Sequence, residues 1–425
     1  MRVLMFGWEF PPHISGGLGT ACYGLTKGLS NNGVEVLFVM PSASGDEDTS
    51  AVNIINASDV EVSESHRDVR DFLEKVEFIR VGSNMIPYVG PESFSEMVEH
   101  QQTGQIEEFR HSHGQKFRFS GKYGNDLMEE VARYALVAAE IALREEFDII
   151  HAHDWLTYMA GVAAKKLSGK PLVVHIHATE FDRSGNNINT EVNDLERRGM
   201  KEADAVIAVS HLTRNIVINK YGIDPSKVIT VHNAVDFQGF SNLVIERGVP
   251  EKVVTFLGRI TYQKGPEYFI EAANKVLAKY PDVRFVMAGN GDLLNRSIRR
   301  VAKLGISHKF HFTGFLRGKE VKEMFAYSDV YVMPSVSEPF GISPLEAMRA
   351  NVPTIISKQS GVAEVLKHAI KVDFWDIDAM ADAIYGLLNY PALSASAVKY
   401  GLEEVNSLKW DGAAAQVKDI YSGLL

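Results

Sequence analysis

Two glutamates eight residues apart mark the segment of this chain most capable of chemistry: Ser335-Val-Ser-Glu338-Pro-Phe-Gly341-Ile342-Ser343-Pro-Leu-Glu346-Ala-Met. The apolar run before it, Val330-Tyr-Val-Met-Pro334, reads as a buried strand, and Pro344–Ala350 reads as a helix. A helix start presents unpaired N–H groups and partial positive charge, so it attracts phosphate. A carboxylate beside such a site repels phosphate. Glu338 is better suited to something neutral and hydroxyl-rich attached to that phosphate, as a nucleotide sugar provides. Glu346 has a second reading. Ser343-Pro-Leu-Glu346 has the spacing of a capping box, with serine at N-cap, proline at N1 and glutamate at N3. Glu338 has no such local duty, and its plain alternative is an exposed loop glutamate.

Three further constellations carry chemistry. The loop Trp8-Glu-Phe-Pro-Pro-His-Ile-Ser15-Gly16-Gly17-Leu-Gly19 joins a strand to a helix, and its paired glycines permit positive φ and close backbone approach. It is too long, and its glycines wrongly spaced, for a nicotinamide-dinucleotide turn. The alternatives are a flexible surface loop or a loop facing phosphate or sugar. No G-x-x-x-x-G-K-[ST] occurs, which argues against a P-loop nucleotidase. His151-Ala-His153-Asp154-Trp155 ends one strand and His175-Ile-His177-Ala-Thr-Glu180 ends the next. A His-x-His pair can bind zinc, but no matching third ligand stands out. The remaining readings are a polar strand end with a packed tryptophan, or a crevice where histidine hydrogen-bonds a sugar hydroxyl or leaving group. In Gly258-Arg259-Ile-Thr-Tyr-Gln-Lys264-Gly265 the arginine follows a strand and the lysine begins a helix. Both cations suit a diphosphate, unless they are ordinary solvated surface charges.

The elements that must position these residues alternate between short apolar runs and helix-like segments. Arg2–Phe6, Val34–Met40, Asp148–His151, Leu172–Ile176, Ala205–Val209 and Lys227–Val231 form one series. Val253–Leu257, Arg284–Ala288, Phe310–Phe312, Val330–Met333 and Thr354–Ile356 form a second. Continuous apolar runs alternating with helices indicate parallel sheets covered on both faces. The expected fold is α/β, with two Rossmann-like doubly wound domains facing across a cleft, their ligand crevices at the carboxyl ends of the strands. Residues 1–238 read as the first domain and 239–399 as the second. The polar stretch from Ser42 to about Gly124, with a weak strand at Glu77–Val81 and the segment His111-Ser-His113-Gly, reads as an elaboration, and the segment from Asp236 as the linker.

Bulk properties narrow the function classes. The 425 residues, 45% hydrophobic and 23% charged, suit a globular protein of two domains. A net charge of −10 with no basic run argues against a nucleic-acid surface. A single cysteine, Cys22, excludes intrachain disulfides and suits a reducing cytoplasm. No run approaches the ~20 apolar residues of a membrane span, and the N-terminus lacks a signal-peptide pattern.

Together these pieces resemble retaining glycosyltransferases of the GT-B fold, specifically glycosyltransferase family 4 and the related glycogen and starch synthases, over almost the whole chain. Glu338-x7-Glu346 resembles that group's E-x7-E signature, and Gly16-Gly17-Leu18 its donor loop. His153-Asp154-Trp155 resembles the His-Asp-Trp of glycogen synthases, and His177 falls at their active-site histidine. Gly258-Arg259 and Lys264-Gly265 match the pair that holds the donor diphosphate. Gly314-Phe315-Leu316 resembles the segment whose backbone meets the nucleobase, and the resemblance implies that a final helix, within about 400–425, crosses back to pack on the first domain.

The resemblance implies transfer of a hexose, glucose foremost, from a nucleotide-diphosphate sugar to a carbohydrate acceptor such as an α-glucan, without metal or other cofactor. It implies that Arg259, Lys264 and the Gly341, Ile342 and Ser343 backbone hold the diphosphate. Glu338 would contact the sugar hydroxyls, His177 the sugar near the reacting carbon, Asp154 the sugar or acceptor, and Glu346 the donor ribose. Two departures matter. Glycogen synthases carry lysine at the position of Ile14 and tyrosine at the position of Glu346, which leaves the donor open between UDP-glucose and ADP-glucose. A sugar-nucleotide epimerase on the same fold and a non-catalytic glycan-binding protein are the competing functions.

Overall fold

The computed structural model describes residues 1–13, 16–62, 115–121, 124, 126–185, 187–235, 248 and 250–425. Ile14, the Glu77–Val81 strand, the His111–Gly114 segment and the linker from Asp236 lie outside the described residues. The chain forms two compact units. One comprises Met1–Phe181, Asn186–Asn233 and Trp410–Leu425, and the other Asp182–Gly185 and Ala234–Lys409.

The first unit is built on a seven-stranded parallel sheet. Its strands are β1 (Arg2–Phe6), β2 (Glu35–Met40), β3 (Asn53–Asn56), β6 (Ile149–His153), β7 (Leu172–Ile176), β8 (Ala205–Ala208) and β9 (Val228–Thr230). A separate antiparallel pair is formed by β4 (Glu61–Val62) and β5 (Gln115–Lys116). The order in the large sheet is β3-β2-β1-β6-β7-β8-β9. Val3, Leu4, Met5 and Phe6 are all buried, because helices cover both faces and each successive side chain meets one of them. The edge strand β3 was not anticipated. Asn-Ile-Ile-Asn is four residues long, polar at both ends and only partly buried, so no long apolar run announces it.

Residues 400–425 hold parts of two helices, Pro391–Val405 in the second unit and Trp410–Leu424 in the first. The latter packs on the helix Gly17–Asn31. Close approach there requires glycine: a Cβ at Gly28 would lie 2.6 Å from the Trp410 carbonyl oxygen.

The second unit is built on a six-stranded parallel sheet of β10 (Lys252–Leu257), β11 (Val283–Ala288), β12 (Phe310–Gly314), β13 (Val330–Met333), β14 (Thr354–Ser357) and β15 (Ile370–Val372). The order is β12-β11-β10-β13-β14-β15. The edge strand β15 is three residues, too short to read from sequence. In both sheets the strand order reverses once, between β1 and β6 and between β10 and β13. Such reversals open a crevice at the carboxyl ends of the two central strands, where ligands of open α/β sheets bind. No helix among the described residues is long and apolar enough to cross a membrane.

Candidate active site

In the second unit the motif residues converge on the reversal point. β10 ends at Leu257, and the chain passes through Gly258 and Arg259 to a 3-10 turn, Tyr262–Lys264, before the helix Pro266–Lys279. Lys264 therefore closes the turn before the helix, where the sequence placed it at the helix start. Gly265 follows in the left-handed region, φ 65°, and a Cβ there would lie 2.2 Å from the Pro334 carbonyl oxygen. This contact draws the turn after β10 against the end of β13.

Lys264 Nζ meets Glu338 Oε2 at 2.5 Å, and Ser335 Oγ donates to the same oxygen at 3.1 Å. Glu338 is only 6% exposed, so it is not a plain surface glutamate. Its backbone is clamped as well: its N–H donates to the Gln359 carbonyl at 3.0 Å, and its carbonyl accepts from Gly361 at 2.9 Å. Lys264 is not a freely solvated cation, being ion-paired and about one-fifth exposed. Arg259 stands half-buried at the same strand end.

Beyond Glu338 the backbone turns at Gly341, φ 99°, a conformation that favours glycine. The helix Ser343–Arg349 follows. The capping box expected from Ser343 and Glu346 does not form, since Ile342 takes the cap position and no side chain caps the helix. The reason is tertiary. The Ser343 hydroxyl instead accepts from the Tyr331 hydroxyl of β13 at 2.9 Å. Among the described residues, the N–H groups of Gly341, Ile342 and Ser343 meet no acceptor. Burial pushes the Glu346 carboxyl up to about 7, against the pull of Lys322 in the other direction. A carboxyl so placed, without a cap to satisfy, is free to hydrogen-bond a ligand hydroxyl. Leu316 stands apart from this group, half-buried in the loop after β12.

In the first unit Gly16 is extended, φ −177°, and Gly17 opens the helix Gly17–Asn31. Neither uses the positive φ open to glycine, and a Cβ on either would meet nothing within 4 Å among the described residues. Backbone conformation and packing therefore do not demand glycine here, which leaves room for a ligand. Glu9, missed by the sequence reading because it is one acidic residue in an aromatic loop, is 5% exposed and accepts from the Gly19 N–H at 3.2 Å.

The strand ends of β6 and β7 pair in register, His153 opposite His175. Asp154 follows β6 in the left-handed region, φ 57°, and its Oδ1 accepts from the His177 N–H at 2.6 Å. His153 Nδ1 and His177 Nε2 are 3.0 Å apart. Burial holds His177 down to about 3, so the imidazole is neutral across the physiological range. Trp155 is buried at the start of the next helix. The structure thus brings Asp154 and His177 into contact. It also supplies what the sequence lacked, a third imidazole near the His-x-His pair: nitrogens of His151, His153 and His175 lie within 4.8 Å of one another.

Comparison with known proteins bears on this arrangement. The family described as starch synthase catalytic domain matches residues 2–231, and that described as glycosyl transferases group 1 matches residues 244–404. An uncharacterised glycosyltransferase of Methanocaldococcus jannaschii is 28% identical, over 99% of this chain and 98% of its own length. A glycogen synthase of Mycobacterium tuberculosis is 23% identical, over 99% of this chain and 94% of its own length. Among solved structures, sucrose-phosphate synthase of Thermosynechococcus elongatus superposes with a TM-score of 0.72 at 17% identity, over 100% of this chain and 98% of its own. The structural likeness supports the GT-B fold, with its two parallel-sheet α/β domains.

Proposed function

This chain belongs to the starch synthase catalytic domain family and is a glycosyltransferase, and on that premise we propose that it moves a hexose, glucose foremost, from a nucleoside diphosphate sugar to a carbohydrate hydroxyl with retention. The observation that carries the reading is the Lys264–Glu338 contact of 2.5 Å beside three backbone N–H groups without acceptors, at the reversal point of the second sheet. It sets a cation and an anion-seeking backbone next to a carboxylate, the combination a diphosphate joined to a sugar requires.

In this reading the departing diphosphate is the main burden, because negative charge develops on it as the glycosidic bond breaks. Arg259, Lys264 and the N–H groups of Gly341, Ile342 and Ser343 offset that charge with donors fixed before the reaction starts. Glu338 holds the sugar hydroxyls, and Glu346 the ribose. The Leu316 backbone meets the base. In the first unit, Gly16 and Gly17 offer open backbone to a phosphate or sugar, the neutral His177 a hydrogen bond to a sugar, and Asp154 a carboxylate to a sugar or acceptor hydroxyl. The incoming hydroxyl attacks on the face from which the diphosphate leaves, so the reaction needs no protein nucleophile. We assign the charge stabilisation to these side chains and backbone groups, with no metal required, and an α-glucan as the acceptor, in keeping with the glycogen synthase relative.

The test is incubation of the pure protein with UDP-glucose or ADP-glucose, each with and without a glucan, reading free nucleotide and sugar product. Glucan-dependent nucleotide release with an extended glucan supports the proposal. An epimerised nucleotide sugar formed without acceptor refutes it in favour of an epimerase. Tight glucan binding with no turnover on either donor refutes it in favour of a binding protein.

A further inference from the structure

The first unit buries an unusual set of side chains. His151 and His153 are 0% exposed and His175 is 2% exposed. Their rings gather as a cluster: the centroids of His151 and His153 are 4.4 Å apart, and that of His175 is 5.3 Å from each. Four of their ring nitrogens, His151 Nε2, His153 Nε2 and both nitrogens of His175, have no hydrogen-bond partner among the described residues. A buried polar atom without a partner is destabilising, and four in one cluster call for a common one.

The outer nitrogens are already oriented. His151 Nδ1 contacts the Tyr421 hydroxyl, and His153 Nδ1 faces His177 Nε2 at 3.0 Å. If each Nδ1 carries the proton in these contacts, each Nε2 is left bare. Metal-bound histidines are commonly held in this way by a second partner on the other nitrogen.

We infer that His151, His153 and His175 form a zinc-binding site, buried within the first unit at the ends of β6 and β7. Three imidazoles are an established zinc donor set, and a cluster without carboxylate ligands disfavours magnesium, calcium and manganese. Strand geometry produces the site: alternation puts His151 and His153 on one face of β6, and register sets His175 opposite His153. Tyr421 comes from the C-terminal helix, so the ion would also tie that helix to the sheet. The role is structural, distinct from the donor chemistry proposed above, and its test does not depend on that activity.

Because the cluster is closed to solvent, metal would enter as the chain folds. The experiment therefore uses untagged full-length protein expressed in zinc-supplemented medium and passed through chelator and gel filtration. Metal is counted by mass spectrometry, and a second preparation is loaded with cobalt. The expected result is about one zinc per chain, retained by the folded protein and released to a zinc-sensitive dye on unfolding. The cobalt form should show tetrahedral visible bands without a thiolate charge-transfer band. His175→Gln, with its fold checked by circular dichroism, should lose the zinc, while Cys22→Ser keeps it. Wild-type protein without zinc overturns the inference, and so does full zinc occupancy in His175→Gln. A thiolate band lost in Cys22→Ser also overturns it, because it transfers the ion to the neighbouring group Cys22, His153 and His177.

Discussion

Replacing Lys264 by methionine removes the cation that faces Glu338 while keeping the length and apolar stem of the side chain. Glu338 is then left with Ser335 Oγ at 3.1 Å as its side-chain partner. Removing one member of a fully buried ion pair costs about 3–5 kcal/mol. Lys264 is 21% exposed and the Glu338 side chain 8%. Water reaches the pair in part, so solvent screening brings the expected loss of stability at pH 7.5 below that range, to about 2 kcal/mol. Loss of a charge-stabilising group should lower turnover by ~100-fold or more.

The double variant Lys264→Met, Glu338→Gln separates the two effects. With no charge left to bury, stability should return to within ~1 kcal/mol of wild type, while turnover stays down. Urea unfolding followed by tryptophan fluorescence measures the first quantity, and glucan-dependent nucleotide release measures the second. Recovery of turnover in the double variant would refute the reasoning, since it would reduce both residues to a structural pair. So would a Lys264→Met single variant with unchanged stability.

Three other outcomes follow from the geometry. The Glu346 carboxyl titrates at about 7 in the folded protein against an ordinary value of 4.5. The folded state therefore holds the proton more tightly, and stability falls as pH rises from 4.5 through 7. With its partial exposure the decline should be about 1–2 kcal/mol. Glu346→Gln should flatten it and weaken donor binding, as read by urea melts at pH 5 and 8 with donor titrations, and an identical pH dependence in both proteins would contradict the burial argument. Gly17→Ala adds a methyl group that meets nothing within 4 Å among the described residues. It should leave the melting temperature in place and lower kcat/KM for the donor by about 10- to 100-fold, so unchanged kinetics would remove the glycine pair from the site. Gly28→Ala drives a Cβ to 2.6 Å from the Trp410 carbonyl oxygen. It should cost about 1–3 kcal/mol, and an unshifted thermal transition would show that the C-terminal helix is not held there.

Local patterns were legible in the residues because they arise from local causes. The buried strands β1, β7 and β13 read directly as apolar runs, since a strand covered on both faces needs apolar side chains at consecutive positions. Glu338 was singled out because nothing nearby in sequence gave it work, and its burial against Lys264 agrees with that. The edge strands β3 and β15 escaped notice, because a short edge element is defined by its neighbour's hydrogen bonds more than by its own composition.

The sequence by itself determined the class of the protein: two α/β halves, the identity of the motif residues, and, Lys264 and Ser343 aside, the strand end or helix start on which they stand. These depend on periodicity and spacing along the chain. Which of those residues meet was decided by the tertiary structure alone. Lys264 and Glu338 are 74 residues apart and touch because β10 and β13 are neighbours in the sheet. Ser343 read as a cap and became the partner of Tyr331, a contact that requires β13 to lie beneath its helix. His151 and His153 read as a pair lacking a third member, and register between β6 and β7 supplied His175. Tyr421 reached the same cluster across 270 residues. Spacing along a chain carries no information about such distances, because they are set by strand order and by the packing of whole elements.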